Sequence, residues 1–329
     1  MIYSVSTRNI NYDINVEKIT QLCGQNVYKK NCIIDVISKY FSGEKYHEYE
    51  EVRNDNILID GNVIGRKNKI CYRISNINDL IYEISINKNS ILSKYIKIQL
   101  NDFDSQFELE QIDNILTKLF SKLNYDIANS IGDIELTYRL SALWDMVQKT
   151  QVESIDGNYI ENKSAFQLLQ IFINIIKNIQ STNPESMILI FENIDHIISK
   201  KEYRDIISLC DLLTKEYDIS FIFSTSLNGY VFVSEEVIEG INVINDEIFS
   251  FPELVHIQQY VNDNYPCYIE LKEDDLICLL EKIIHDIGRK NYIMEDNELV
   301  VCKLINETLM ISEHRKNNSN QAERDFLND

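Results

Sequence analysis

Two nearly continuous apolar runs of strand length stand out in this chain, Met187-Ile188-Leu189-Ile190-Phe191 and Ile219-Ser220-Phe221-Ile222-Phe223. Such runs are expected of strands covered on both faces in a parallel sheet. Between them a helical pattern spans about Lys201 to Tyr217, so strand, helix and strand predict a right-handed parallel crossover. Upstream, Lys18–Cys23 reads as a short strand ending at Gly24, after which Ile33, Ile34, Ile37, Tyr40 and Phe41 recur at helical spacing until Gly43. Residues 57–75 read as a hairpin, ILID and ICYRIS around Gly61-Asn62 and the Gly65–Lys69 turn.

From Asn78 to about Thr150 the pattern is helical, with no strand expected after residue 74. Phe107, Ile112, Ile115, Leu116 and Leu119 form one apolar stripe, and Leu136, Leu140, Leu143 and Met146 or Val147 another. Ser164 opens a strong helix with Leu168, Leu169, Phe172, Ile175, Ile176 and Ile179 on its buried face, broken by Ser181-Thr182-Asn183-Pro184. After Pro252 come amphipathic stretches at 254–262, 274–287 and 298–312, then a polar tail that reads as disordered. The expected plan is an α/β head of residues 1–77 and 160–252 and an inserted helical leg of 78–159. A helical C-terminal extension of 253–313 and a tail of 314–329 complete it.

Composition narrows the functional classes. Only 9 Gly and 3 Pro occur in 329 residues, so flexible linkers are scarce and regular elements are expected. No apolar stretch is long enough to span a bilayer, and the N-terminus lacks the basic head and apolar block of a signal peptide, which points to a cytoplasmic protein. The seven cysteines are scattered without a CxxC pair and the five histidines lie far apart, which favours buried free thiols over a zinc site. The formal net charge of −20 argues against a protein that coats itself in nucleic acid. The charge is uneven, however. Residues 61–100 hold Arg66, Lys67, Lys69, Arg73, Lys88, Lys94 and Lys97 against Asp79 and Glu83, while 234–313 hold eighteen acids against five bases.

Three features then fall in the order of a P-loop NTPase. Gly24-Gln25-Asn26-Val27-Tyr28-Lys29-Lys30-Asn31 lies between a strand and a helix, where a working loop reads GxxxxGK[ST]. Gly24 and Lys30 keep the pattern, but Lys29 replaces the second glycine, whose left-handed backbone a side chain disfavours. Asn31 replaces the hydroxyl that would bind Mg²⁺. The run MILIF followed by Glu192-Asn193-Ile194-Asp195 resembles a Walker B strand, and FIF followed by Ser224-Thr225-Ser226 resembles the next strand, with a polar tip near the γ-phosphate. The fold class expected is therefore α/β, a RecA-like, P-loop-NTPase-like parallel-sheet head. Its nucleotide site (Gly24, Lys30, Asn31, Glu192) reads as degenerate, and no nucleotide is expected there. The histidines at 47, 196, 256, 285 and 314 stand beside no obvious nucleophile, so no other catalytic set is visible.

The helical segment Leu100-Asn101-Asp102-Phe103-Asp104-Ser105-Gln106-Phe107, the later Leu168-Leu169-Gln170-Ile171-Phe172 and then ILIFENID form a series over roughly residues 15–250. It resembles the type II-A CRISPR adaptation protein family, the ring-forming accessory factors of spacer acquisition, in their longer variety. The resemblance implies a homotetrameric ring steadied by calcium. It also implies sequence-independent binding of double-stranded DNA ends, without cutting, beside a spacer integrase and an RNA-guided effector nuclease. On that reading Lys29, Lys30, Arg66, Lys67, Lys69, Lys94 and Lys97 are the candidates for phosphate contact, which positions a duplex without reading its bases. Asp102, Asp104, Asp126, Asp133 and Glu135 are the candidate calcium ligands, as carboxylates suit that ion. A nucleotide-hydrolysing switch with a divergent loop, or a scaffold that binds only protein, remain the competing readings.

Overall fold

Period-two alternation begins at the N-terminus: Tyr3 and Val5 in β1 (Ile2–Ser6) and Tyr12 and Ile14 in β2 (Asn11–Asn15) are buried while their neighbours are not. The two strands pair antiparallel. This hairpin precedes the first strand expected from the sequence. The computed structural model describes residues 1–6, 11–43, 56–66, 68–130, 134, 136–137, 147, 150–155, 157, 159–264, 271–288 and 301–305. Two compact units emerge, Met1–Ser75 with Ser186–Asp329, and Asn76–Glu185.

In the first unit the fully buried β3 (Ile19–Cys23) leads into α1 (Val27–Ser42), whose left-handed C-cap is Gly43. The segment expected as one hairpin splits. β4 (Ile57–Ile59) and β5 (Asn62–Val63) pair with each other and extend the β1–β2 sheet, while β6 (Ile70–Ile74) runs parallel to a strand of the larger sheet. That correction has a physical cause: a strand apolar on both faces needs parallel neighbours, and the half-buried β6 supplies one at the sheet edge.

The second unit holds α2 (Ile77–Glu83), α3 (Ile91–Leu100), α4 (Phe103–Ser130) and α5 (Ala165–Thr182). Capping boxes start α2 at Asn76 and α5 at Ser164. The sequence plan gives α5 to the head, but it packs within this unit against α2 and α3, burying Leu168, Leu169, Phe172, Ile173 and Ile176. The expected stripe on α4 is open: Phe107, Ile112, Ile115 and Leu119 are all exposed. The second expected stripe, apart from Leu136 and Val147, lies outside the described residues.

Returning to the first unit, β7 (Met187–Glu192) and β8 (Ile219–Ser224) are the two buried runs, joined through α6 (Lys200–Glu216). β9 (Ile241–Ile244), β10 (Ile248–Ser250), α7 (Leu254–Asn264) and α8 (Glu273–Ile283) follow. The larger sheet has the order β10-β9-β3-β8-β7-β6, parallel except for β10. Ile33, Ile34, Ile37 and Phe41 of α1 share one core with Tyr3, Val5 and Ile57 of the small sheet and with Leu22, Ile190 and Ile222 of the large one. α1 is thus sandwiched between sheets. A second core joins Val243 and Phe249 to Leu276, Leu280, Ile284 and Val301, so the C-terminal segment is built onto the β9–β10 edge. The expected tail, residues 314–329, lies outside the described residues.

Candidate functional site

Parallel strands end together, and the ends of β3, β7 and β8 bring Gly24, Glu192 and Thr225 to one rim of the sheet. Only Gly24, Gln25 and Asn26 separate β3 from α1. A loop that wraps phosphate needs more backbone than that, and here Lys29 and Lys30 already lie in the first turns of the helix. Gly24 has φ +95°, and a Cβ there would stand 2.5 Å from the Ile244 carbonyl oxygen, so the turn lies hard against the end of β9.

The amides of this turn have partners inside the chain. Gly24 N–H donates to His285 Nδ1 (3.4 Å), Gln25 N–H to Asn245 Oδ1 (2.6 Å) and Asn26 N–H to the Ile244 carbonyl (3.0 Å). Asn26 caps the helix by accepting from Lys29 N–H, and its carbonyl accepts from Lys30 N–H. These are the donors that would otherwise attract an anion to a helix N-terminus.

Lys30 is 2% exposed, and its ammonium donates to the Thr225 carbonyl at 2.6 Å. Burial lowers its pKa, with the nearby Asp195 acting the other way. This corrects its place among the phosphate contacts: it faces inward because the helix starts early and turns that position toward β8. Lys30→Ala is expected to cost about 2–4 kcal/mol, because the packed stem is lost and the Thr225 carbonyl orphaned, where a surface lysine would cost about 0.5 kcal/mol or less. Urea denaturation distinguishes the two.

Glu192 closes β7 with its side chain 7% exposed. Arg73 Nε bonds its Oε1, Arg73 Nη2 lies 3.2 Å from Oε2, and Ser75 Oγ donates to Oε1 at 2.5 Å. Arg73 Nη1 reaches Asp35 at 2.6 Å. Although burial opposes it, Glu192 and Asp35 together hold the guanidinium's pKa above its ordinary value. The carboxylate that would hold Mg²⁺ thus already carries a cation. Asp195 is buried and accepts from Ser226 N–H and Oγ, while Asn31 is exposed on α1 and joins nothing at this rim.

The other described basic candidates of the first unit are each engaged by the protein itself. Lys29 Nζ is held by the carbonyls of Asn245 (3.1 Å) and Asp246. Arg66 donates to the Tyr40 and Lys39 carbonyls at the C-terminus of α1, and burial lowers the pKa of Lys69. In the second unit Lys94 pairs with Glu185, Lys97 is exposed in the last turn of α3, and Lys67 lies outside the described residues. Of the calcium candidates, Asp102 and Asp126 are exposed, while Asp133, Glu135 and the Asp104 side chain lie outside the described residues. Among the described residues no three His, Cys, Asp or Glu side chains gather as a metal group, and no helix is long and apolar enough to cross a membrane.

Sequence reasoning missed Asn245 and His285. Nothing local marks them, since Asn245 reaches Gln25 across 220 residues of chain and His285 reaches Gly24 across 261.

Fold and site together define a mixed α/β protein whose strand–turn–helix at Gly24 is closed by the chain's own side chains. The family described as CRISPR-associated protein Csn2 subfamily St matches residues 7–312, and the chain belongs to it. The resemblance carried by the SQF step and the ILIFENID strand is borne out at that level. The fold is similar to that of the crystal structure of Stu0660 of Streptococcus thermophilus, with a TM-score of 0.86 and 22% identity, covering 100% of this chain and 99% of that one. A search of curated proteins finds no match.

Proposed function

We propose that this chain serves spacer acquisition as a non-catalytic, sequence-independent binder of double-stranded DNA ends. It acts as a calcium-steadied homotetrameric ring beside a spacer integrase and an RNA-guided nuclease. Membership of a CRISPR-associated family sets the context. The observation that carries the non-catalytic part is the occupied rim: turn amides, Lys30 ammonium and Glu192 carboxylate are all engaged within the chain. We read the head as RecA-like: β3, which leads into the Gly24 turn, lies in a parallel run between β9 and β8, with β7 and β6 beyond. The head and its habit of assembling persist while the phosphate chemistry is gone. No observation favours a nucleotide switch.

A net charge of −20 is compatible with DNA binding if only the inner wall of a ring is basic. Lys97 is exposed on α3, and it, like Lys29, Arg66 and Lys94, would exchange partners within the protein for phosphate. In gel shifts, linear DNA is expected to bind in calcium and closed-circular DNA of the same sequence to bind far less. Affinity should fall by about a hundredfold or more between low and physiological salt. Sedimentation in calcium is expected to give a tetramer. Absent or equal binding to both DNA forms would sink the end-binding reading, and a monomer in calcium the ring.

A further inference from the structure

The rim of the sheet is filled from one particular place. After α8 the chain makes a short turn, Ile284–Asp286, that buries His285 against the end of β3. His285 Nδ1 accepts from Gly24 N–H, and Nε2 lies 2.7 Å from the Gly229 carbonyl, so the ring is neutral with its proton on Nε2. Asn245, just beyond β9, bridges the two sides. Its Oδ1 takes the Gln25 N–H, while its Nδ2 donates to the carbonyls of His285 (3.1 Å) and Ile287 (2.5 Å). Outside this knot, Glu281 of α8, 5% exposed, accepts from Lys200 and twice from Arg204 of α6.

We propose that the C-terminal extension is an internal occupant of the vestigial phosphate position: His285 and Asn245 latch it onto the β3–α1 turn, and its docking, rather than a nucleotide, sets the shape of that turn. The inference does not rest on the DNA reading. It explains why this strand–turn–helix persists in a chain without a phosphate loop: the turn's amide donors have a protein-supplied acceptor set.

The latch is sensitive to acid. Burial lowers the pKa of His285, and the groups facing it are Lys30 from α1, Asp195 beyond β7 and Asp286 beside it on its own turn; Cys23 at the end of β3 stays a thiol, its pKa pushed up by burial to about 12. Protonation puts a second N–H on Nδ1 against the Gly24 N–H and a positive ring near Lys30. The sign follows: the folded state disfavours the charged ring, so the latch is complete above the ordinary histidine pKa and weakens as pH falls below it.

Hydrogen–deuterium exchange on the full chain, corrected for the intrinsic pH dependence of exchange, tests this through peptides spanning 22–27 and 273–288. Both are expected to be protected at neutral pH and to open together, by roughly tenfold, as pH falls through the range below the ordinary histidine value. His285→Ala should open both at neutral pH. His285→Gln, which can still accept from Gly24 and donate to Gly229, should stay closed and lose the pH dependence. Asn245→Asp keeps the acceptor for Gln25 but loses both donors, and should free 273–288. Unchanged protection of 22–27 in His285→Ala, or added protection of 22–27 by MgATP in the wild type, would overturn the latch. So would equal loosening of the central strands Met187–Glu192 and Ile219–Ser224 in every variant.

Discussion

Arg73→Met is expected to destabilise the protein by about 3–5 kcal/mol, because it leaves the Glu192 carboxylate buried without its cation. Arg73 sits on β6 with its side chain 29% exposed, and Glu192 on β7 is 7% exposed, so the pair is poorly screened by solvent. Two guanidinium nitrogens address the carboxylate, a fork that lysine could not reproduce. The cost arises from the orphaned charge more than from the lost attraction. Arg73→Met combined with Glu192→Leu should therefore be more stable than Arg73→Met alone, and urea midpoints of the two proteins decide it. If instead the losses simply add, Glu192 is not held by Arg73 in the way the geometry requires.

Gly24→Ala is expected to cost about 3 kcal/mol or more. The residue has φ +95°, and the new Cβ would meet Ile244 O at 2.5 Å, N at 2.7 Å and C at 2.8 Å. All three are backbone atoms of a strand, so nothing flexible can give way. Relief would have to come from moving the end of β9, which carries Asn245 out of reach of Gln25 and of the C-terminal turn. Loss of thermal stability together with faster exchange at 273–288 would link the two effects. A stable Gly24→Ala with an intact turn would contradict the close approach.

Much of the head was legible before the fold was known. Met187–Phe191 and Ile219–Phe223 are buried on both faces as their continuous apolar character demands, and the helix between them starts at the Ser199 capping box. That the Gly24–Asn31 segment departs from a phosphate-loop pattern could also be read, since Lys29 and Asn31 stand where that pattern has a glycine and a hydroxyl. Less visible were the short elements. β1, β2, β9 and β10 span three to five residues each, and their alternation is too brief to separate from loop without a partner strand to confirm it. β6 has a pattern that suits either sheet, so its departure from the expected hairpin was not written locally.

The rim of the sheet divides the same way. Residue types alone established that the Gly24–Asn31 segment lacks a proper phosphate loop, because that judgement depends on which side chains a backbone conformation tolerates, a local property. Three further facts came only from tertiary structure. Lys30 points inward to Thr225, Arg73 neutralises Glu192, and Asn245 with His285 fills the amides of the turn. Each joins residues far apart in sequence through the close approach of strand ends. A hydrogen bond between such residues exists only once the sheet order has placed them within about 3 Å, and nothing in either residue's neighbours in sequence encodes it.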